Sequence, residues 1–373
     1  MRQVATGGVY RSLENPRDSP AKSANFSTTC REELMRPLSQ PAALAGVIAI
    51  ALAMAQSPAY AQADFYKGKT VQIVIGAKTG SLAVAAQLVG RHLGKYIPGN
   101  PTVINRQMPG GAHLNATNNI FNVAEADGLS ILAANPNVAM GQLAKLPNVR
   151  FDANKFIWLG SSGPDGVMFS IRAGLPYKTF QEMKDSGKEF VAGTTGPGSN
   201  AHDMPLLLKE FAGLNLRLVA GYAANSDILL AVERSEADAY SALATTIQLA
   251  VDRGAVRPLV RTRTPVPGWD HLPTDESLTT DKIGRALMSI RGIPQSIGRA
   301  FAVRPGTPPE RVAMLRDALA KTLTDPALLE EAKKAKIHIE PISADAVTKM
   351  FGELLNQPAP VLEAMNKYLK VGE

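Results

Sequence analysis

The chain has 373 residues, 45% of them hydrophobic, a single cysteine and a formal net charge of +7. That length and apolar content allow two domains with buried cores and exclude a fibrous or disordered chain. Six basic against four acidic residues put +2 of the charge in residues 1–63, leaving +5 on the rest; without clustered Lys/Arg and interleaved aromatics, no nucleic-acid partner is expected.

Residues 1–34 are polar and carry no apolar periodicity, so they read as a non-native N-terminal extension ahead of a start at Met35. Pro41 to Ala55 is an uncharged apolar run of about 15 residues, the length of a signal-peptide core and short of a membrane span. Met35-Arg36 supplies a positive start, and Ala59-Tyr60-Ala61 and Ala61-Gln62-Ala63 have the small-x-small form of a cleavage site. Residues 35–63 therefore read as a signal peptide cut after Ala61 or Ala63, which makes the product periplasmic and soluble. A buried N-terminal helix is the alternative, but the run has no polar face. Cys30 lies upstream of the cut, so the mature chain has no disulfide, thiolate nucleophile or cysteine metal site.

Downstream, Thr70 to Ile75 is a β-branched run followed by the turn-like Lys78-Thr79-Gly80-Ser81 and a helix-compatible stretch from Leu82 to Leu93. Pro101 to Ile104 reads as a second strand, His113 to Val123 as a helix and Ser130 to Ala134 as a third strand. The same grammar returns later. A strand at 189–193 leads through Thr194-Thr195-Gly196-Pro197-Gly198-Ser199-Asn200 into a helix from about Ala201 to Phe211; strand 216–219, helix 227–234 and a short strand ending near Ser241 follow. Pro309 to Lys336, with Val312, Leu315, Ala318, Leu319 and Leu323 at helical spacing, reads as one amphipathic helix packed on the domain. Strands alternating with helices imply right-handed βαβ crossovers and mostly parallel sheets.

Two glycine-containing loops are the informative feature. Each sits at the carboxyl end of a strand and the start of a helix, where unpaired N–H groups and the helix dipole favour an anion. One such loop in each domain suggests an anion clamp facing across a cleft, although glycine turns after strands are also common where nothing binds.

Other chemistry lacks a pattern. The histidines His92, His113, His202, His271 and His338 show no HExxH and no i, i+4 pair, so no metal site is expected. The chain has no G-x-S-x-G elbow, phosphate-binding P-loop or G-x-G-x-x-G dinucleotide spacing, so no catalytic residue and no cofactor are expected. A hydrolase or lyase would have to use Ser199 with His202, which reads more readily as a structural histidine. Asp203 suits a helix N-terminus without being catalytic.

Lys69 to Ile75, Asn105 to Gly111, Asp127-Gly128, Gly193 to His202, Val303 to Val312 and Asp325-Pro326, in that order, span nearly all of the mature chain. Their sequence and spacing resemble the solute receptors of tripartite tricarboxylate transporters, the Bug receptors. The resemblance implies an α/β, type II periplasmic-binding-protein-like fold: two Rossmann-like domains with a ligand cleft between them. It implies domain 1 over 64–163 and 288–373 and domain 2 over 164–287, with crossovers near Gly163-Pro164 and Arg285 to Met288. It further implies a monomeric, non-enzymatic receptor that captures a small carboxylate and delivers it to the transporter's membrane components; a ligand sensor for a signalling partner is the alternative. Carried over by position, the ligand-binding residues are Ala77, Lys78, Thr79, Gly80 and Ser81 in the first loop. In the second they are Thr194, Thr195, Gly198, Ser199, Asn200 and His202, with Asn135 and Ser241 placed to reach the distal end. The family's Gly-Gly and later Asp are here Thr79-Gly80 and Ala83, which makes an amino-acid ligand less expected, while Lys78 adds a positive charge.

Overall fold

The computed structural model describes residues 65–78, 80–222 and 224–369. The extension, the signal-peptide segment, Cys30 and Thr79 lie outside the described residues. In chain order the first elements are β1 (Thr70–Ile75), α1 (Ser81–Leu93), β2 (Thr102–Gln107), α2 (Leu114–Asn122), β3 (Ser130–Ala134), α3 (Val138–Leu143) and β4 (Ile157–Ser161). The chain then runs through β5 (Val167–Arg172), α4 (Phe180–Asp185), β6 (Phe190–Gly193), α5 (Asn200–Ala212), β7 (Leu216–Val219), α6 (Asn225–Glu233), β8 (Ala239–Leu243), α7 (Ala244–Asp252) and β9 (Val256–Arg261). It returns through α8 (Lys282–Ile297) and β10 (Ala300–Val303) and ends with α9 (Pro309–Leu323), α10 (Pro326–Lys334), α11 (Ala344–Leu355) and α12 (Ala359–Tyr368).

These strands build two five-stranded sheets, ordered β2-β1-β3-β10-β4 and β7-β6-β8-β5-β9. The orders are equivalent. In each sheet the fourth position is held by the strand that has just arrived from the other domain, and that strand alone runs antiparallel to its neighbours. The rest follow the parallel βαβ rule that the strand-helix alternation predicts. Helices cover both faces of the first sheet, which is why β1 reads as a continuous apolar run. Ile73 and Ile75 pack with Val89 of α1 and Leu315 and Leu319 of α9. Val74, pointing the other way, packs with Leu114 and Ile120 of α2. Trp158 of β4 is core, stacked on Phe351 of α11 with ring centroids 4.0 Å apart and planes 7° from parallel.

The stretch expected as one C-terminal helix is two. Asp325 leaves the helical conformation and its carboxylate accepts from Ala327 N, capping α10, while Pro326 fills the first position of α10. The proline ring disfavours the helical region for the residue before it, which ends α9. All five residues of the apolar stripe on α9 are nonetheless buried.

Two crossovers join the sheets, at residues 162–166 and between α8 and β10, and they touch. Ser162 N donates to Arg299 O at 3.0 Å, Arg299 N to Gly163 O at 3.2 Å and Asp165 N to Gln295 O at 3.1 Å. Gly298 has a φ of +67° and lies so close to its neighbour that a Cβ there would sit 1.9 Å from Gly163 O. The predicted second crossover positions, Arg285 and Met288, fall inside α8. A buried ion pair fixes the junction: Arg299 Nη1 lies 3.2 Å from Asp165 Oδ2, with both side chains at most 5% exposed. Arg299 also donates to His338 O at 2.6 Å, and Asp165 accepts from Thr245 Oγ1 at 3.1 Å. Burial pushes the Asp165 carboxyl upward, and Arg299, Ser81 and Thr245 oppose that push. Such a pair is tolerable only because its remaining polar atoms are matched.

Gly298→Ala should cost about 3 kcal/mol or more in urea unfolding, because a backbone carbonyl blocks the new methyl. Gly352→Ala, inside α11 with nothing within 4 Å of the added carbon, should instead stabilise by about 0.5–1 kcal/mol. At the α1–α10 contact, Lys95 donates to Asp325, and with Ala327 N and His92 it holds the Asp325 carboxyl down to about 2. A folded value below the unfolded one gives stability that is present above about pH 4 and is lost as pH falls toward 2. Asp325→Asn should therefore lower Tm by a few degrees at pH 7, with the gap from wild type closing between pH 4 and 2 in thermal melts.

Candidate functional site

Both glycine loops end where the sequence places them, at the starts of α1 and α5. Gly80, φ +90°, precedes α1 and offers no side chain to cap it. The first turn of α1 therefore keeps its N–H groups unpaired by a cap, in keeping with Ala83 standing where an acid would be expected. Before α5, Ser199 Oγ accepts from His202 N and donates to Gly196 O at 2.7 Å. These two helix starts face a single cavity of about 120 Å³ between the two sheets, lined by Ser81 and Leu82 on one side and Asn200 on the other. Asn135, Asn137, Asp165, Leu243, Gln295 and Arg299 complete most of its wall.

Behind this wall runs a polar network. Asp203, in the first turn of α5, accepts from Gly198 N at 2.9 Å through Oδ1, and the same oxygen lies 3.1 Å from His202 Nδ1. Its Oδ2 lies 2.8 Å from Arg291 Nε on α8, with the side chains 1% and 6% exposed. The N–H does not point along that line, so the contact is an ion pair and not an aligned hydrogen bond. Arg291 reaches Asn137 of the first domain and Asn200 of the second. Asp203 thus ties the second loop to the helix that leads into the return crossover.

Of the residues expected at the site, Ser81, Asn135 and Asn200 come together on the cavity wall. Thr194 and Ser241 are fully buried, and their hydroxyls lack a partner among the described residues. They are neighbours: Ala192 pairs with Ala239 across β6 and β8, and each hydroxyl residue lies two positions further on, on the same face. Lys78 and Gly80 are exposed, and Ala77, Thr195 and Gly198 are half-buried, at the loops' outer turns. Gln107 Nε2 donates to Lys78 O at 3.3 Å. Ser199 spends its hydroxyl on the loop, and His202 turns its ring to Asp203. Among the described residues no hydrogen bond joins the Ser199 hydroxyl to the His202 ring.

No family model matches the chain, and no curated protein matches it. Solved structures do. A TctC solute-binding protein from Polaromonas superposes with a TM-score of 0.63 at 17% identity, over 81% of this chain and 99% of that one. The periplasmic binding protein BugD gives 0.59 at 19% identity over 81% and 98%. MatC from Rhodopseudomonas palustris, with bound malate, gives 0.58 at 17% identity over 79% and 99%. The fold is that of the two-domain periplasmic solute-binding proteins.

Asn137, Asp165, Arg291, Gln295 and Arg299 were not expected at the site. Arg291 and Gln295 are an i, i+4 polar pair on α8, buried beside the apolar Ile290 and Ile297. A polar pair on an otherwise buried helix was the one sequence signal available. The Asp203–Arg291 contact makes a direct prediction: Asp203→Ala leaves a buried guanidinium unpaired and frees Gly198 N. It should cost about 3–5 kcal/mol of stability in urea denaturation.

Proposed function

We propose that the protein is an exported receptor that captures a small carboxylate between its two domains and delivers it to the membrane components of a tripartite tricarboxylate-type transporter. The observation that carries this reading is the convergence of two helix N-termini, one from each domain, on one cavity. Each supplies N–H groups and a partial positive charge, so an anion bound there is held from both sides and favours closure of the cleft. The fold's relatives support the class: MatC carries malate, and a second R. palustris protein of this fold, with a TM-score of 0.60 and 16% identity, carries adipate. At about 120 Å³ the cavity is smaller than the roughly 300–1,000 Å³ of common ligand pockets, which limits its occupant to a small acid. The lobes are proposed as 64–163 with 288–373 and as 164–287, closing about the crossovers. Export rests on the 35–63 segment, and no helix of the described residues is long and apolar enough to cross a membrane. The receptor is proposed to work as a monomer and without turnover.

Thermal shift against acetate, malate, adipate, citrate and benzoate tests the reading. A ligand at a hundred times its Kd should stabilise by about 2.7 kcal/mol, and a flat response to every acid would refute the carboxylate class. Lys78, exposed in the first loop, is proposed to attract the anion to the cleft. Lys78→Ala should flatten the salt dependence of ligand association measured by stopped flow.

A further inference from the structure

The direction of every carboxamide around the cavity follows from one residue. Arginine has five N–H donors and no acceptor, so the Asn200 atom 2.7 Å from Arg291 Nη2 is its oxygen. The Asn137 atom 3.3 Å from Arg291 Nη1 is an oxygen for the same reason. Gln295 meets these two oxygens at 3.2 and 3.4 Å, so it presents its amide nitrogen. The polarity then passes along the wall. With its oxygen taken, Asn137 has only Nδ2 left to give, and it gives it to Asn135 Oδ1 at 3.1 Å, which also accepts from Asn137 N at 3.0 Å.

Three free ends result: the donors Asn135 Nδ2 from the first domain and Asn200 Nδ2 from the second, and the acceptor Gln295 Oε1, which is fully buried and without a partner among the described residues. Both asparagines line the cavity, and among the described residues neither amide nitrogen has a protein acceptor. The one acid on the wall, Asp165, is occupied by Arg299 and Thr245. Its environment also includes a hydrogen bond from Ser81. Apart from the buried Gln295 Oε1, the unpaired carboxamide ends of the wall are therefore donors, and it offers a ligand no spare carboxylate.

We propose that Arg291 is a specificity-determining residue that touches no ligand: held by Asp203, it sets the polarity of Asn137, Asn135 and Asn200 so that the cleft takes acceptor-only anions and rejects ammonium groups. The proposal rests on the carboxylate reading above and names the side chains that enforce it. Asn200→Asp keeps an acceptor for Arg291 but exchanges the free donor for a charged acceptor. At the first turn of a helix an acid is compatible with folding. Arg291→Lys keeps the charge facing Asp203, yet its single nitrogen cannot hold two carboxamides.

The test is calorimetric titration of wild type and both variants, matched by thermal melts, with the carboxylate from the five-acid panel that binds wild type most tightly and with putrescine as the opposite probe. Asn200→Asp should weaken the carboxylate by roughly ten- to a hundredfold, the worth of a hydrogen bond to a charged group. Arg291→Lys should narrow the ratio of carboxylate to putrescine affinity while Tm stays within a few degrees. Unchanged affinity and selectivity in Asn200→Asp would overturn the donor assignment while leaving the receptor reading intact, and that variant decides the matter if Arg291→Lys does not fold. Wild type that binds none of the five acids would instead sink the receptor reading and this inference with it.

Discussion

The contact between the two crossovers is the constraint on which the rest of the molecule depends. Gly298 and Gly163 approach so closely that no side chain fits between them, and backbone hydrogen bonds join the two crossovers. The Arg299–Asp165 pair sits in the same junction, with Arg299 also bound to His338 O of the C-terminal segment. An ion pair buried this deeply contributes little net stability but specifies geometry, since any arrangement that separates the partners leaves a charge in a dry environment. This junction forms the floor of the cleft, and the wall residues Asp165, Gln295 and Arg299 are part of it.

From that floor the two loops rise in equivalent positions because the two sheets have equivalent strand orders. Each helix start lies at the carboxyl end of a parallel strand next to its sheet's centre, where the crevice of an open α/β sheet forms. The antiparallel strand in each sheet is the consequence of joining two such units twice: a strand arriving from the opposite domain enters from the end at which the others leave. Fold and site are in this sense one solution.

The polar network gives the second loop a partner that the first lacks. Gly198 is held through Asp203 to α8, whereas Gly80 has no capping side chain. The cavity wall is built largely from helix starts and carboxamides, with Asp165 and Arg299 paired to each other, so little of it stands out in the composition. Asn137 and Asn200, half-buried at two helix starts, are both held by the Arg291 guanidinium.

What the sequence alone determined is what local pattern encodes. The β-branched run at 70–75, the strand at 130–134 and the helix start near Asn200 follow from side-chain periodicity and turn residues, and observed and expected bounds agree within a few residues. Ser81 and Asn200, carried over by position from the resemblance, and Asn135 at a strand end lie on the wall of one cavity. The antiparallel strands β5 and β10, the break at Asp325-Pro326, and Arg291, Gln295 and Arg299 on the return path were decided by tertiary structure. Their partners lie far along the chain: Arg299 meets Asp165 across 134 residues and Arg291 meets Asn137 across 154. No local window contains such a pairing, since it exists only once two crossovers have brought distant segments of the chain together.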